Sequence, residues 1–235
     1  MKNERTTLTA DQFARYQIHY PCNSVIVRID EQEVVTKAGL RLDFNKETLY
    51  AEGTESHVAD MATVMGTIVK QPERLFFHPK SMLSLSWECD IETLVGDVVW
   101  SHPLNVKNCD EIMVEGQLYQ VWNYEDLFCA KRGDEVIALN GNLILEPIYK
   151  PKTSEFDVSP PELDKERAIV RFIGTPNKRY QAKGLHDIQG VEVGDTVLID
   201  KNTYIIWLER FSHNANFDNG NMYYAIQGRH ILAVI

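Results

Sequence analysis

The sequence predicts an all-β protein: two tandem small β-barrels with long loops, preceded by a short N-terminal helical arm. Three observations carry this expectation. Short β-branched and aromatic runs recur along the chain, punctuated by Gly, Pro, Asn or Asp. No long apolar period of helical type follows the first 16 residues. Landmarks of the first half also return, in the same order, in the second half.

Residues 1–16 open the chain. Thr9 and Gln12 stand at capping-box spacing, and Phe13 and Tyr16 would share one face of a helix, which predicts a helical arm. A frayed terminus is the plain alternative. The first-half strands are expected at Ser24–Ile29, Met65–Val69, Gly96–Trp100, Gln117–Trp122 and Asp126–Ala130. The second-half strands are expected at Asn142–Glu146, Ala168–Ile173, Asp195–Ile199, Tyr204–Trp207, Met222–Ile226 and His230–Ile235. Asn219-Gly220 reads as a tight turn leading into the Met222–Ile226 run. Runs this short favour a small barrel over a wide open sheet.

The two halves align at three places. Val25-Ile-Val27 matches Leu143-Ile-Leu145 at an offset of 118. Leu94-Val-Gly-Asp-Val-Val99 matches Glu192-Val-Gly-Asp-Thr-Val197 at an offset of 98. Glu125–Ala130 matches Arg229–Val234 at an offset of 104. Drifting offsets place the length differences in loops, where insertions are tolerated. The expected division is an arm at 1–16, a first domain at 17–131 and a second at 135–235, joined through Lys131–Glu135.

Charge and composition exclude several functions. The chain has 235 residues, with 34 acidic against 24 basic side chains and a formal net charge of −10. Such a surface repels phosphate backbones, so no nucleic-acid partner is expected. No apolar run approaches the ~20 residues of a membrane span, and the N-terminus lacks the apolar stretch of a signal peptide. A cytoplasmic protein without membrane contact is expected. Cys22, Cys89, Cys109 and Cys129 are widely spaced without a CxxC pair, which reads as reduced core thiols. His19-x-x-Cys22 has ligand spacing but no second pair. No nucleophile, base and orienting group share a known pattern, and no phosphate loop is present. Neither catalysis nor a cofactor or metal is expected. Trp87, Trp100, Trp122 and Trp207 read as core or roof aromatics.

These landmarks resemble the small (ten-kilodalton) chaperonin family, the GroES-type co-chaperonins. That family's domain opens with a Val-Ile-Val-like strand. A long mobile loop with an apolar tip, a Gly-x-Val strand, a roof segment, a Val-Gly-Asp turn and an Asp-Ile-Leu-Ala-like final strand follow. Here Ile18–Val27 and Val136–Leu145 stand as the two openings. Lys37–Leu42 lies at the loop-tip position, and Gly66-Thr-Ile-Val69 and Val95–Val99 follow. Asp126–Ala130 and His230–Val234 stand as the two closings. The doubled form is similar to plastid double-domain co-chaperonins. Arg41 stands where the family has an apolar residue, the second half has no Gly-Leu-x-Leu, and the roof segments match nothing.

The resemblance implies a chain that self-associates into a ring and caps a GroEL-type chaperonin ring, assisting protein folding without binding nucleotide. It assigns the chaperonin contact to Gly39, Leu40, Arg41 and Leu42. In an extended loop Leu40 and Leu42 share one face while Arg41 stays in water. Each buried leucine is worth roughly 1.5–3 kcal/mol, against roughly 1–2 kcal/mol per residue for ordering the backbone. One loop therefore binds weakly, and several on a ring gain avidity. Phe156 and Val158, ahead of Pro160-Pro161, repeat the apolar-charged-apolar alternation and stand as a second contact; a loop aromatic packed on its own domain is the plain alternative. In this reading Ile18–Val27 and Ile231–Ile235 join neighbouring chains, and Leu127–Lys131 meets Val136–Leu145 within one chain. The competing class is a structural or assembly adaptor, for example a virion component, built from small β-barrels without a chaperonin partner.

Overall fold

The structure is a computed structural model, and it describes residues 5–18, 22–29, 33–35, 41–43, 64–77, 87–89, 91–102, 109–150, 162–174, 190–201, 203, 206–208 and 223–235. In chain order the elements begin with β1 (Arg5–Leu8), α1 (Ala10–Arg15), β2 (Ser24–Arg28), β3 (Glu33–Val35), β4 (Arg41–Asp43) and β5 (Val64–Lys70). Next come β6 (Leu75–Phe77), β7 (Trp87–Cys89), β8 (Val98–Ser101), β9 (Glu111–Val114), β10 (Gln117–Asn123), β11 (Leu127–Arg132) and β12 (Glu135–Ala138). The chain continues with β13 (Asn142–Tyr149), β14 (Leu163–Ile173), β15 (Thr196–Ile199), β16 (Ile206–Trp207), β17 (Tyr224–Gln227) and β18 (Ile231–Val234). One 3₁₀ turn precedes β11 (Tyr124–Asp126) and another precedes β18 (Gly228–His230).

The protein is mostly β, as the short apolar runs predict. Its strands form an eight-stranded sheet ordered β1-β9-β10-β2-β5-β8-β11-β12 and a six-stranded sheet ordered β16-β17-β13-β14-β15-β18. Two ribbons, β3-β4 and β6-β7, form separate two-stranded sheets, and Leu75 of β6 is buried in the core of the eight-stranded sheet. Among the described residues both large sheets are open: each ends on edge strands, and neither closes into a barrel. No described helix is long and apolar enough to cross a membrane.

The N-terminal arm differs from the expectation of a wholly helical segment. The capping box is present, with the Gln12 N–H donating to Thr9 Oγ1 at 3.2 Å and the Thr9 N–H to Gln12 Oε1 at 2.9 Å. The helix spans only Ala10–Arg15, and Arg5–Leu8 runs as a strand parallel to β9. The β-branched pair Thr6-Thr7 suits that strand, and the unpaired edge of β9 supplies its partner.

The five-strand order β10-β2-β5-β8-β11 of the first sheet recurs as β17-β13-β14-β15-β18 in the second. The register agrees as well as the order. Val27 faces Ile68 as Leu145 faces Val170, and a bulge precedes each pair, after Ile26 and after Ile144. Gly66 faces Val99 as Ala168 faces Val197. Ala130 faces Val99 as Val234 faces Val197, with a register shift in both ladders. The pairings thus reproduce the offsets of 118, 98 and 104 between the halves.

Each sheet has its own core. Val25, Val27, Ile68, Val99, Trp122 and Leu127 pack within the first. Leu143, Leu145, Val170, Val197, Tyr224 and Ile226 pack within the second. A third cluster is shared: Trp100 and Cys129 of the first sheet bury against Ile144, Tyr223 and Ala225 of the second. Cys22, Cys109 and Cys129 are thiols, the last two buried, as expected of core cysteines.

Candidate interaction surface

The Val-Gly-Asp turn anchors the geometry of both sheets. In the first, the Gly96 N–H donates to Ile68 O at 2.8 Å and the Ile68 N–H to Asp97 O at 2.9 Å. In the second, the Gly194 N–H donates to Val170 O at 2.8 Å and the Val170 N–H to Asp195 O at 2.9 Å. The aspartate closes each turn by accepting a backbone N–H three residues back, Leu94 to Asp97 Oδ2 and Glu192 to Asp195 Oδ2, both at 2.8 Å. Gly96 and Gly194 hold φ of +100° and +101°, a region that side chains disfavour, so the central glycine is a backbone requirement. Both turns push their valine outward: Val95 is 60% and Val193 62% exposed.

The first turn carries a further contact. Arg132, at the end of β11, grips Asp97 with two hydrogen bonds, Nε to Oδ1 at 3.0 Å and Nη2 to Oδ2 at 2.8 Å. It also donates to Glu92 O at 3.1 Å. This fork geometry is the strong form of a charge-assisted pair, and the Asp97 hydrogen bond holds the guanidinium even more firmly protonated than usual.

Between the sheets, the chain makes a strand-to-strand joint. β11 and β12 pair antiparallel from Cys129↔Ala138 to Arg132↔Glu135 around the Gly133-Asp134 turn. Asn140, at φ +56°, sends its buried Nδ2 to Tyr124 O at 2.7 Å and Leu127 O at 2.9 Å. Asn142 Nδ2 donates to Leu139 O at 2.8 Å. Gly174 closes the other side, its N–H donating to Asn142 O at 2.9 Å. A Cβ at Gly174 would stand 2.8 Å from Asn142 O and 2.9 Å from Ala138 O, so only glycine lets β14 approach this joint.

β18 occupies in the second sheet the place β11 holds in the first, but no described strand pairs with its outer edge. Leu232 is 66%, Val234 42% and Ile235 60% exposed there. Ala130, the counterpart of Val234, is fully buried. An apolar strand edge left open is a template for pairing with another chain.

Of the predicted contact residues, Arg41 and Leu42 lie in β4, paired with Val35 and Val34 of β3 in a ribbon outside both large sheets. Gly39, Leu40, Phe156 and Val158 lie outside the described residues, as do His19 and the Asn219-Gly220 turn. Among the described residues no group of three His, Cys, Asp or Glu side chains is placed to hold a metal ion. Sequence reading missed the shared cluster around Trp100, whereas it named Ile231–Ile235 as a strand joining neighbouring chains, and that segment is the exposed β18 with Ile235. The legible signal was the unbroken apolar run Ile231–Ile235, which lacks the polar alternation of a strand with one wet face.

No protein-family model matches the chain, and no curated protein matches it.

Proposed function

We propose that the chain is a GroES-type co-chaperonin made of two copies of one small β-barrel unit. Chains associate head to tail into a ring, and the ring caps a GroEL-type chaperonin through apolar loop contacts. The observation that carries the reading is the paired architecture: five strands with one order, one register and the same bulges and turn in both sheets. In the first sheet the closing strand is covered by β12, whereas its counterpart β18 offers Leu232, Val234 and Ile235 to solvent. The segment at Ile18 stands where Val136 of β12 stands in the second half, and it supplies the matching edge from a second chain.

In this reading the β3-β4 ribbon and the Gly39-Leu40-Arg41-Leu42 tip form the finger that docks on the chaperonin, with Phe156 and Val158 as a second contact. Weak single contacts multiplied around a ring give binding that a shape change in the partner can release. Co-sedimentation with a GroEL-type chaperonin in ATP or ADP tests it. Wild type is expected to pellet with the chaperonin, and Leu40→Asp/Leu42→Asp is expected to lose at least tenfold in affinity. Equal pelleting of the double variant removes the loop-tip assignment. A wild-type chain that assembles with itself yet ignores the chaperonin makes the protein a structural or assembly adaptor.

A further inference from the structure

Register-equivalent faces of the two sheets are covered in two different ways. On the second sheet Ile144, Leu208, Tyr223 and Ala225 are buried against Trp100 and Cys129 of the first, with Phe172 of the second sheet and Val136 of β12 at the margin. By the strand registers, their counterparts on the first sheet are Ile26, Ile112, Tyr119 and Val121, with Lys70 at the margin, and the sequence offset of 118 matches Ile18 to Val136. These counterparts also cluster, but the side chains laid over them are Leu8 and Phe13 of the chain's own N-terminal arm. Phe13 stacks on Tyr119 with ring centroids 4.5 Å apart. Lys70 Nζ lies 5.0 Å from the centre of the Phe13 ring and donates to Ala14 O at 3.2 Å.

We propose that the arm is a plug: β1 and α1 occupy the seat that a second copy of this chain takes during head-to-tail association, and assembly displaces them. The proposal rests on the self-association reading above and adds its regulation. The incoming face is the second sheet's counterpart of the Trp100 face, where Leu198, Leu232 and Ala233 answer to Trp100, Phe128 and Cys129. Leu232 and Ala233 are exposed and Leu198 is half-buried, so among the described residues that face is apolar and no strand covers it.

The two coverings differ in tightness. In the joint within the chain, Trp100 and Tyr223 are each 2% exposed and Cys129 and Ile144 fully buried. In the arm, α1 has no buried residue, and Leu8 and Phe13 are only half-buried. The arm is fastened by the four-residue parallel ladder of β1 on β9, the capped turn of α1 and the Phe13–Tyr119–Lys70 contact. A short parallel edge ladder and a single helical turn are low-stability elements that open locally. The margin also differs in chemistry. Lys70, which clasps the arm through its ammonium, stands where the second sheet has Phe172, which lies in the permanent joint. A charged clasp over an apolar seat suits a contact that must be released.

Sedimentation velocity over a dilution series tests the plug, using the full chain throughout. Phe13→Ala weakens the arm and is expected to lower the concentration of half-assembly about tenfold relative to wild type. Thr9→Ala/Gln12→Ala uncaps α1 without touching either apolar face and is expected to shift it in the same direction, which separates the effect from misfolding. Leu232→Asp added to Phe13→Ala is expected to abolish the gain. If wild type assembles through a Leu232-dependent contact but both arm variants assemble no more readily, the plug is wrong and self-association stands. If Leu232→Asp leaves the gain intact, the seat is wrong. If neither wild type nor the arm variants assemble at about 0.5 mM, self-association falls, and the plug with it.

Discussion

Single side chains decide whether the joint between the sheets holds. Asn140 combines a left-handed backbone with two buried amide hydrogen bonds, a pairing that Asn tolerates better than most residues. Asn140→Ala is expected to destabilise the protein by about 2–3 kcal/mol from the two lost bonds alone. Asn140→Gly, which relieves the backbone but not the bonds, is expected to recover only part of that loss in urea unfolding. Asp164, at the start of β14 and away from that joint, shows a single-residue effect of a different kind. Burial by itself would push its carboxyl up, but Arg167 Nε at 2.7 Å and the N–H groups of Glu166 at 3.0 Å and Arg167 at 3.2 Å outweigh it and hold it below its ordinary value of 3.8. A depressed carboxylate stabilises the fold above its unfolded value, and that contribution disappears as pH falls through its lower folded value. The urea midpoint of Asp164→Asn is therefore expected below wild type at pH 6, with the gap closing in acid below the ordinary value. A gap that persists unchanged in strong acid removes the charge from the explanation.

Elements follow the sequence closely where the local chemistry is strict. The two Val-Gly-Asp turns have matching hydrogen bonds within 0.1 Å and φ values one degree apart at glycine. Gly96→Ala and Gly194→Ala are accordingly expected to cost about 1–3 kcal/mol each for a side chain in that region. Near-equal losses in urea unfolding support equivalent turns, and a large inequality argues against them. The capping box at Thr9 and Gln12 was equally legible, because both side chains act within one turn of the backbone. The strand Arg5–Leu8 ahead of it was not legible, since four residues without apolar alternation become a strand only when the edge of β9 is at hand. β9 and the two ribbons, each three or four residues long, escaped for the same reason.

At the scale of the whole molecule, a shared buried cluster packs the two sheets against each other, which predicts that they unfold together. Trp100 belongs to a strand of the first sheet, yet it is buried among Ile144, Tyr223 and Ala225 of the second. Trp100→Ala is expected to destabilise the protein by about 3–5 kcal/mol, in the range for emptying a large core site. Calorimetry is expected to show one transition in wild type, with the variant lowering the unfolding of both sheets together. Two separate transitions in wild type, only one of them shifted by the variant, would mean that the sheets fold independently.

The sequence by itself determined the β class, most of the longer strands, the glycine turns and the three offsets between the halves. Each rests on local alternation, on turn chemistry or on spacing along the chain. The tertiary structure alone decided that the sheets stay open among the described residues, that Trp100 and Cys129 face the second sheet, and that the arm lies over Tyr119. It also decided that β12 pairs with β11 while, among the described residues, no strand pairs with the outer edge of β18. The physical reason is that burial depends on what arrives from elsewhere in the chain. Cys129 and Ala233 occupy matching strand positions, and Cys129 is buried against the other sheet while Ala233 is exposed.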